Sequence, residues 1–455
     1  IKTIDGRGKF VIPGLIDSHV HLANIAGLNF KFSRKYPELA ESYYRQLNRS
    51  YLYFGYTTLI DLNNHSPKIV ESLMKQEVRP EILTCGAQLE VWNGFMMTDY
   101  EPEERLTEFP NFVIDRYNEK VRLPKVDSPE SHTAEASVRK IVREQNAVCA
   151  KFAYEDGFGG TEDVTWEMPT PEITREIAAE TRRVKIPLML HASSYAAQRF
   201  AVDNGIDIIA HGMWHWGAVK DYLNVNELSE PHRNLLRTIA AQGIGFQPTF
   251  RVLAGQRDVF VDEFINDQHL AAVYPKEFLA WLRSGEGSWQ RDNIKKYGKG
   301  IFDEMPDSEI AALFQRFVDK IALSSRFLAD DSGRLLFGSD TPSSNSHANP
   351  PGYNGFLEMR EWSKAGIPLG KILRAATIDN AKAFNIDRSF GSIEKGKIAN
   401  LLILSRNPLS DVTAYDSIET VFIRGKHYAR RDLSAETRNA ETRNAETRNA
   451  ETRTK

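Results

Sequence analysis

Eight short apolar runs, each followed by helix-patterned sequence or a long insertion, constrain this chain more than any other feature. They are LIDSHVHL (15–22), TTLIDL (57–62), EILTCGAQ (81–88), VCAKFAY (148–154), PLMLHAS (187–193), IDIIAHG (206–212), GIGFQPT (243–249) and LLFGSD (335–340). The segments between them carry helix-start signals. Thr170-Pro171-Glu172 offers an N-cap, a proline at the first helical position and an early acid, after which Ile173 and Ile177 fall on one face. Ser229-Glu230-Pro231 does the same, with Leu235, Leu236 and Ile239 on the inner side. Strands that are apolar on both faces and alternate with helices predict an α/β fold whose parallel strands close into a (β/α)8 TIM-like barrel.

Residues 13–386 would form that barrel, with insertions near 90–134, rich in acids and prolines, and 253–330, helical in pattern. Trp281, Trp289 and Phe302 in the second insertion could belong to a lid or to an added packed layer. GSIEKGKIAN (391–400) leads into LLIL and later TVFIRG, so 387–430 should return as strands of a small β-sandwich domain, with residues 1–12 as its other edge. From Ala435 the pentapeptide AETRN repeats. Five residues advance about 140° on a helix, so no apolar stripe can accumulate, and 431–455 reads as a solvated tail.

A chain of 455 residues with 41% hydrophobic and 26% charged residues and a formal charge of -3 is an ordinary soluble protein. It has no basic stripe for a nucleic acid and no apolar run near the roughly 18 residues of a membrane span, so a small-molecule substrate is the expected partner. A homo-oligomer stays open. The first residue is Ile1, which leaves the compartment open between cytoplasmic and exported. Cys85 and Cys149 lie in apolar runs and read as buried thiols, with no disulfide framework implied.

The chemistry gathers at the ends of the runs. In the first, Asp17, His19 and His21 share one strand face. A single buried histidine is usually a hydrogen-bonded core residue. Two side by side need two sets of partners, unless one cation takes both lone pairs. The fourth run ends near Lys151, the fifth carries His191, the sixth His211 and the eighth Asp340. Taken singly, these could be an ion-pair partner, buried polar groups and a helix cap. Their common position at one rim of a barrel is what those readings leave unexplained.

HVH within PGLIDSHVHL, the strand lysine, HAS, AHG, FGSD and GSIEKGKIANLLIL are together similar to the metal-dependent amidohydrolase superfamily, in the branch of imidazolonepropionase-like enzymes and Xaa-Pro dipeptidases, from about Ile4 to Tyr428. The resemblance implies two divalent metals, zinc or else iron or manganese. His19, His21 and Asp340 would hold one, His191 and His211 the other, and Lys151, carboxylated by CO₂, would bridge them. Asp340, Lys151 and His211 would carry the chemistry. A hydroxide shared by the metals would attack the carbonyl of an amide, dipeptide-like or cyclic amide substrate while Asp340 moves the proton to the leaving nitrogen. The rivals are a mononuclear enzyme with unmodified Lys151, and an esterase or lactonase at the same site. A non-catalytic scaffold would be expected to have lost ligands.

Two departures bear on the substrate. Many dipeptidase-like relatives carry a second histidine two residues after the fifth-strand ligand, where this chain has Ser193, and the acid that deaminases place just beyond that histidine does not occur before Asp203. Trp214, His215 and Trp216 after the sixth run suggest a pocket wall or a packed loop. Tyr154 and Arg251 are candidates to grip a substrate carbonyl or carboxylate.

Overall fold

After an edge strand β1 (Phe10–Pro13), each of the eight runs becomes a short strand: β2 (Leu15–Val20), β3 (Tyr56–Asp61), β4 (Glu81–Thr84), β5 (Ala150–Ala153), β6 (Leu188–His191), β7 (Ile208–Ala210), β8 (Gly245–Gln247) and β9 (Arg334–Leu335). They pair in parallel in two sheets, β2-β3-β4 and β5-β6-β7-β8-β9. The computed structural model describes residues 5–64, 66–157, 164–217, 226–298, 300 and 302–437. The result is a mixed α/β architecture of the TIM-barrel type.

The two sheets meet at both edges. Between β4 and β5, the Val148 amide donates to the Thr84 carbonyl (2.8 Å) and the Leu89 amide to the Lys151 carbonyl (2.9 Å). Between β9 and β2, the Ser18 amide donates to the Phe337 carbonyl (3.3 Å) and the His21 amide to the Thr341 carbonyl (2.8 Å). The register sets Ala153 opposite His191, and Ala210 between His191 and Gln247, so the residues that follow these strands emerge at one rim. Helices cover the outside as their sequence dictates. Thr170 caps the helix Pro171–Val184 by accepting from the Ile173 amide, and Ile173 and Ile177 are buried beneath it. Full burial of such a side chain contributes about 1.5–3 kcal/mol.

The insertions are built as their composition suggests. Residues 90–134 enclose a small apolar cluster of Trp92, Met97, Phe109 and Phe112. Residues 253–330 are largely helical, ending in the long helix Asp307–Asp330. Trp289 donates its indole N–H to the Gly27 carbonyl, and the Trp281 ring lies 5.4 Å from Phe32, which places both in a packed outer layer. No helix among the described residues is long and apolar enough to cross a membrane.

The structure adds detail at the chain ends and corrects the reading of two buried free thiols. The chain ends form one antiparallel sheet, β1-β10-β11-β12, with β10 (Leu401–Leu404), β11 (Ile418–Ile423) and β12 (Lys426–Ala429). Among the described residues no second antiparallel sheet faces it; residues 1–4 lie outside the described residues. Cys85 and Cys149 are joined in a disulfide, with Cα atoms 4.4 Å apart. Sequence separation hid this pair, because only the lateral meeting of β4 and β5 brings the two runs together. The packed chain also extends past 431: Leu433 and Ala435 are buried, and the Leu433 carbonyl accepts from the Gln46 side chain. The repeat from 438 onward lies outside the described residues.

Candidate metal centre

The face shared by Asp17, His19 and His21 divides by depth. Asp17 is spent within the fold, accepting from the Ser339 hydroxyl (2.5 Å) and the Ser339 amide (3.0 Å). One and two steps further along, His19 and His21 turn to Asp340, whose Oδ1 lies 3.5 Å from His19 Nε2 and 3.0 Å from His21 Nε2. These three residues bring ligand atoms within 4.8 Å of one another. His211 approaches from the other side, with Nδ1 3.7 Å from Asp340 Oδ2, and His191 follows it with ring centres 4.4 Å apart. A side chain on residue 338 would meet the His19 Cβ at 2.6 Å, so Gly338 lets the FGSD turn reach the histidines.

Electrostatics favours lone pairs here. Burial pushes His19 and His211 well below the ordinary imidazole value, leaving neutral rings with one nitrogen available to a cation. Burial acts to raise Asp340, yet the surrounding His19, His21 and His211 hold its carboxyl well below the usual range. Lys151 is 3% exposed, and its Nζ has no hydrogen-bond partner among the described residues. Burial lowers it to about 7, against the pull of Asp340, so a neutral amine is accessible near neutral pH. An orphaned buried amine beside neutral imidazoles and an ionised carboxylate fits a metal site, and carboxylation would give that amine a partner.

Backbone geometry marks the same rim. His211, Thr249 and Asp340 have φ of +83°, +43° and +52°, a region costing a non-glycine residue about 1–3 kcal/mol. The structure therefore sustains local strain where three site residues turn inward. Outer partners then fix the rings: Gln247 Oε1 lies 3.1 Å from His19 Nδ1, Thr249 Oγ1 2.9 Å from His211 Nδ1, and Glu155 Oε2 2.9 Å from His191 Nε2. Sequence reading missed Gln247, Thr249 and Glu155. The signal for Gln247 was a long polar side chain closing an otherwise apolar β8. Glu155 gave less, as an acid four residues past Lys151.

The substrate candidates separate. Trp214 is buried with its ring 5.4 Å from His211, and His215 is buried and pushed down to about 4 by that burial. Trp216 is fully buried elsewhere, donating to the Met213 carbonyl and packing 4.7 Å from the His232 ring. Tyr154 stacks on Phe200 with ring centres 4.2 Å apart. Arg251 is 1% exposed and bonded to Asp258, Asn354 and the Ala348 carbonyl, which commits its guanidinium to the fold. Trp216 and Arg251 are thus committed to packing, while the half-buried Tyr154 is held against Phe200. Sequence pattern shows that a residue follows a strand but not which way its side chain turns.

Comparison with known proteins bears on the fold. The amidohydrolase family profile matches residues 320–427, which include Asp340 but not the four histidines or Lys151. Among solved structures, the chain is similar to a Xaa-Pro dipeptidase with bound methionine in the active site (18% identity, TM-score 0.60, covering 93% of this chain and 87% of that one). It is also similar to the A. niger ochratoxinase (16%, 0.57, 92% and 83%) and to molinate hydrolase (17%, 0.58, 94% and 85%). At these identities the likeness is one of fold. No curated protein matches the sequence.

Proposed function

We propose that this chain is an enzyme of the amidohydrolase superfamily, a metal-dependent hydrolase of amide, dipeptide-like or cyclic amide substrates, a reading supported by the family match over 320–427 and by the shared fold. His19, His21 and Asp340 would hold one divalent metal, His191 and His211 a second, and carboxylated Lys151 would bridge them. When bound, the metals supply Lewis acidity toward water and a carbonyl. Asp340, kept ionised by its histidines, takes a proton from the attacking water and delivers it to the leaving nitrogen. Trp214 and His215 shape the substrate side of His211. In this reading the two parallel sheets form one barrel over 13–386, supported by the hydrogen bonds at both edges and by the disulfide, and 387–430 is the smaller domain.

The observation that carries the proposal is Lys151: a buried amine with no hydrogen-bond partner among the described residues, near neutral imidazoles and Asp340. We expect a zinc-loaded crystal to show continuous density beyond Lys151 Nζ. Lys151→Ala should bind about one metal fewer per chain, be nearly inactive on a panel of N-acyl amino acids, dipeptides, lactones and hydantoin-like rings, and be partly rescued by a short carboxylic acid. A bare lysine beside one metal in an active enzyme would establish the mononuclear rival instead.

A further inference from the structure

The imidazoles at the rim are not pinned alike. His19 is held at Nδ1 by an amide and His211 at Nδ1 by a hydroxyl, whereas His191 is held at Nε2 by the carboxylate of Glu155. Glu155 is 4% exposed and also accepts from the Ser193 hydroxyl at 3.1 Å. Its carbonyl accepts from the Trp166 indole at 2.7 Å, and Trp166 packs on Phe95, whose ring lies 5.5 Å from His191. An acid this buried is costly unless it is paired, and the His191 ring and the Ser193 hydroxyl are two of its partners.

We propose that Glu155 is a positioning residue that fixes His191 as the Nε2–H tautomer, so that Nδ1 is the nitrogen offered to the second metal. The Glu155 Oε2 that accepts from the Ser193 hydroxyl is the atom 2.9 Å from His191 Nε2, and as an acceptor toward the ring as well it sets the His191 hydrogen on Nε2 and the lone pair on Nδ1. A carboxylate behind a ligating histidine orients the ring and raises its basicity more than an amide or a hydroxyl can. Ser193, donating to the same oxygen, sets the direction of that carboxylate. Of the two histidines proposed for the second metal, His191 would then present Nδ1, with its other nitrogen held by Glu155. This inference rests on the two-metal reading of the site only where it concerns metal affinity; the tautomer is a property of the chain.

The test uses the full chain labelled with ¹⁵N-histidine, with His191 assigned by substitution. Long-range ¹H–¹⁵N spectra of metal-stripped protein should show His191 as the Nε2–H tautomer. Glu155→Gln should retain it, because the amide oxygen still accepts, while Glu155→Ala should lose it. Zinc titration of Glu155→Ala should weaken the second equivalent by about 10–100-fold and leave the first unchanged, with Glu155→Gln in between. An Nδ1–H tautomer in the wild type would overturn the proposal, as would unaltered tautomer and zinc binding in a folded Glu155→Ala. A wild type that takes up one zinc while the tautomer still follows residue 155 would refute the two-metal reading and uphold the role of Glu155.

Discussion

Two clusters of acids and histidines in this molecule have opposite electrostatics. At the strand ends, several histidines surround Asp340, and burial holds His19 and His211 neutral. At the junction with the small sheet, a single histidine, His269, sits between two acids, with Nδ1 2.8 Å from Asp267 and Nε2 3.2 Å from Asp416. There the hydrogen bonds to Asp267 and Asp416 raise His269 to about 9, against burial, and lower Asp267 to about 2. Arg430 completes that cluster on Asp416. The first arrangement keeps lone pairs and suits a cation. The second uses both nitrogens as donors and is a structural ion pair. The ratio of imidazole to carboxylate, together with the exclusion of water, decides between them.

The largest expected effect would break the first cluster. Asp340→Asn keeps an oxygen for a metal but removes the base, so turnover should fall by at least about a hundredfold, the range of general acid–base loss. The check is kcat on a confirmed substrate beside metal content. Full metal with a near-normal rate would remove Asp340 from the proton path and make the two clusters chemically alike.

A pair of tryptophans sharpens the same contrast. Trp214 lies against His211, whereas Trp216 lies against His232, another imidazole pushed down by burial, to about 4, whose Nδ1 lies 2.6 Å from the Ser229 hydroxyl. Trp214→Ala should raise KM severalfold with metal content unchanged. Trp216→Ala should leave KM near normal and cost about 3–5 kcal/mol of stability, as large core truncations do. Steady-state kinetics and thermal melts on both variants separate a ring at the site from a ring in the core. A raised KM for Trp216→Ala would place it in the pocket.

The smallest effect belongs to the junction. Because the folded His269 pKa is raised above its ordinary 6.5, its stabilisation is fully present below about 6.5 and is lost as pH rises through about 9. The cluster is partly solvated, so the contribution is discounted to about 1 kcal/mol. The Tm difference between wild type and His269→Gln should be greatest near pH 6 and vanish by pH 10, while neutral-pH activity is retained. A difference that persists at pH 10 would show packing rather than charge at this junction.

Much of the fold and the six proposed ligands could be read from one dimension. Strand and helix periods are local, and a histidine pair at i and i+2 shares a face wherever a strand forms, so LIDSHVHL, LMLHAS, DIIAHG and FGSD each announced a polar group at a strand end. Partnership was not local. The Cys85–Cys149 disulfide spans 64 residues, and the Gln247–His19 contact spans 228. Which tryptophan faces His211, whether Arg251 reaches outward and which carboxylate stands behind His191 all depend on the register of neighbouring strands and on turns held at positive φ. The sequence by itself determined the alternation, the rim and the chemical types gathered there. Only the tertiary structure decided which partner stands behind His19, His191 and His211, because packing brings to each ring a group that the local sequence pattern does not mark.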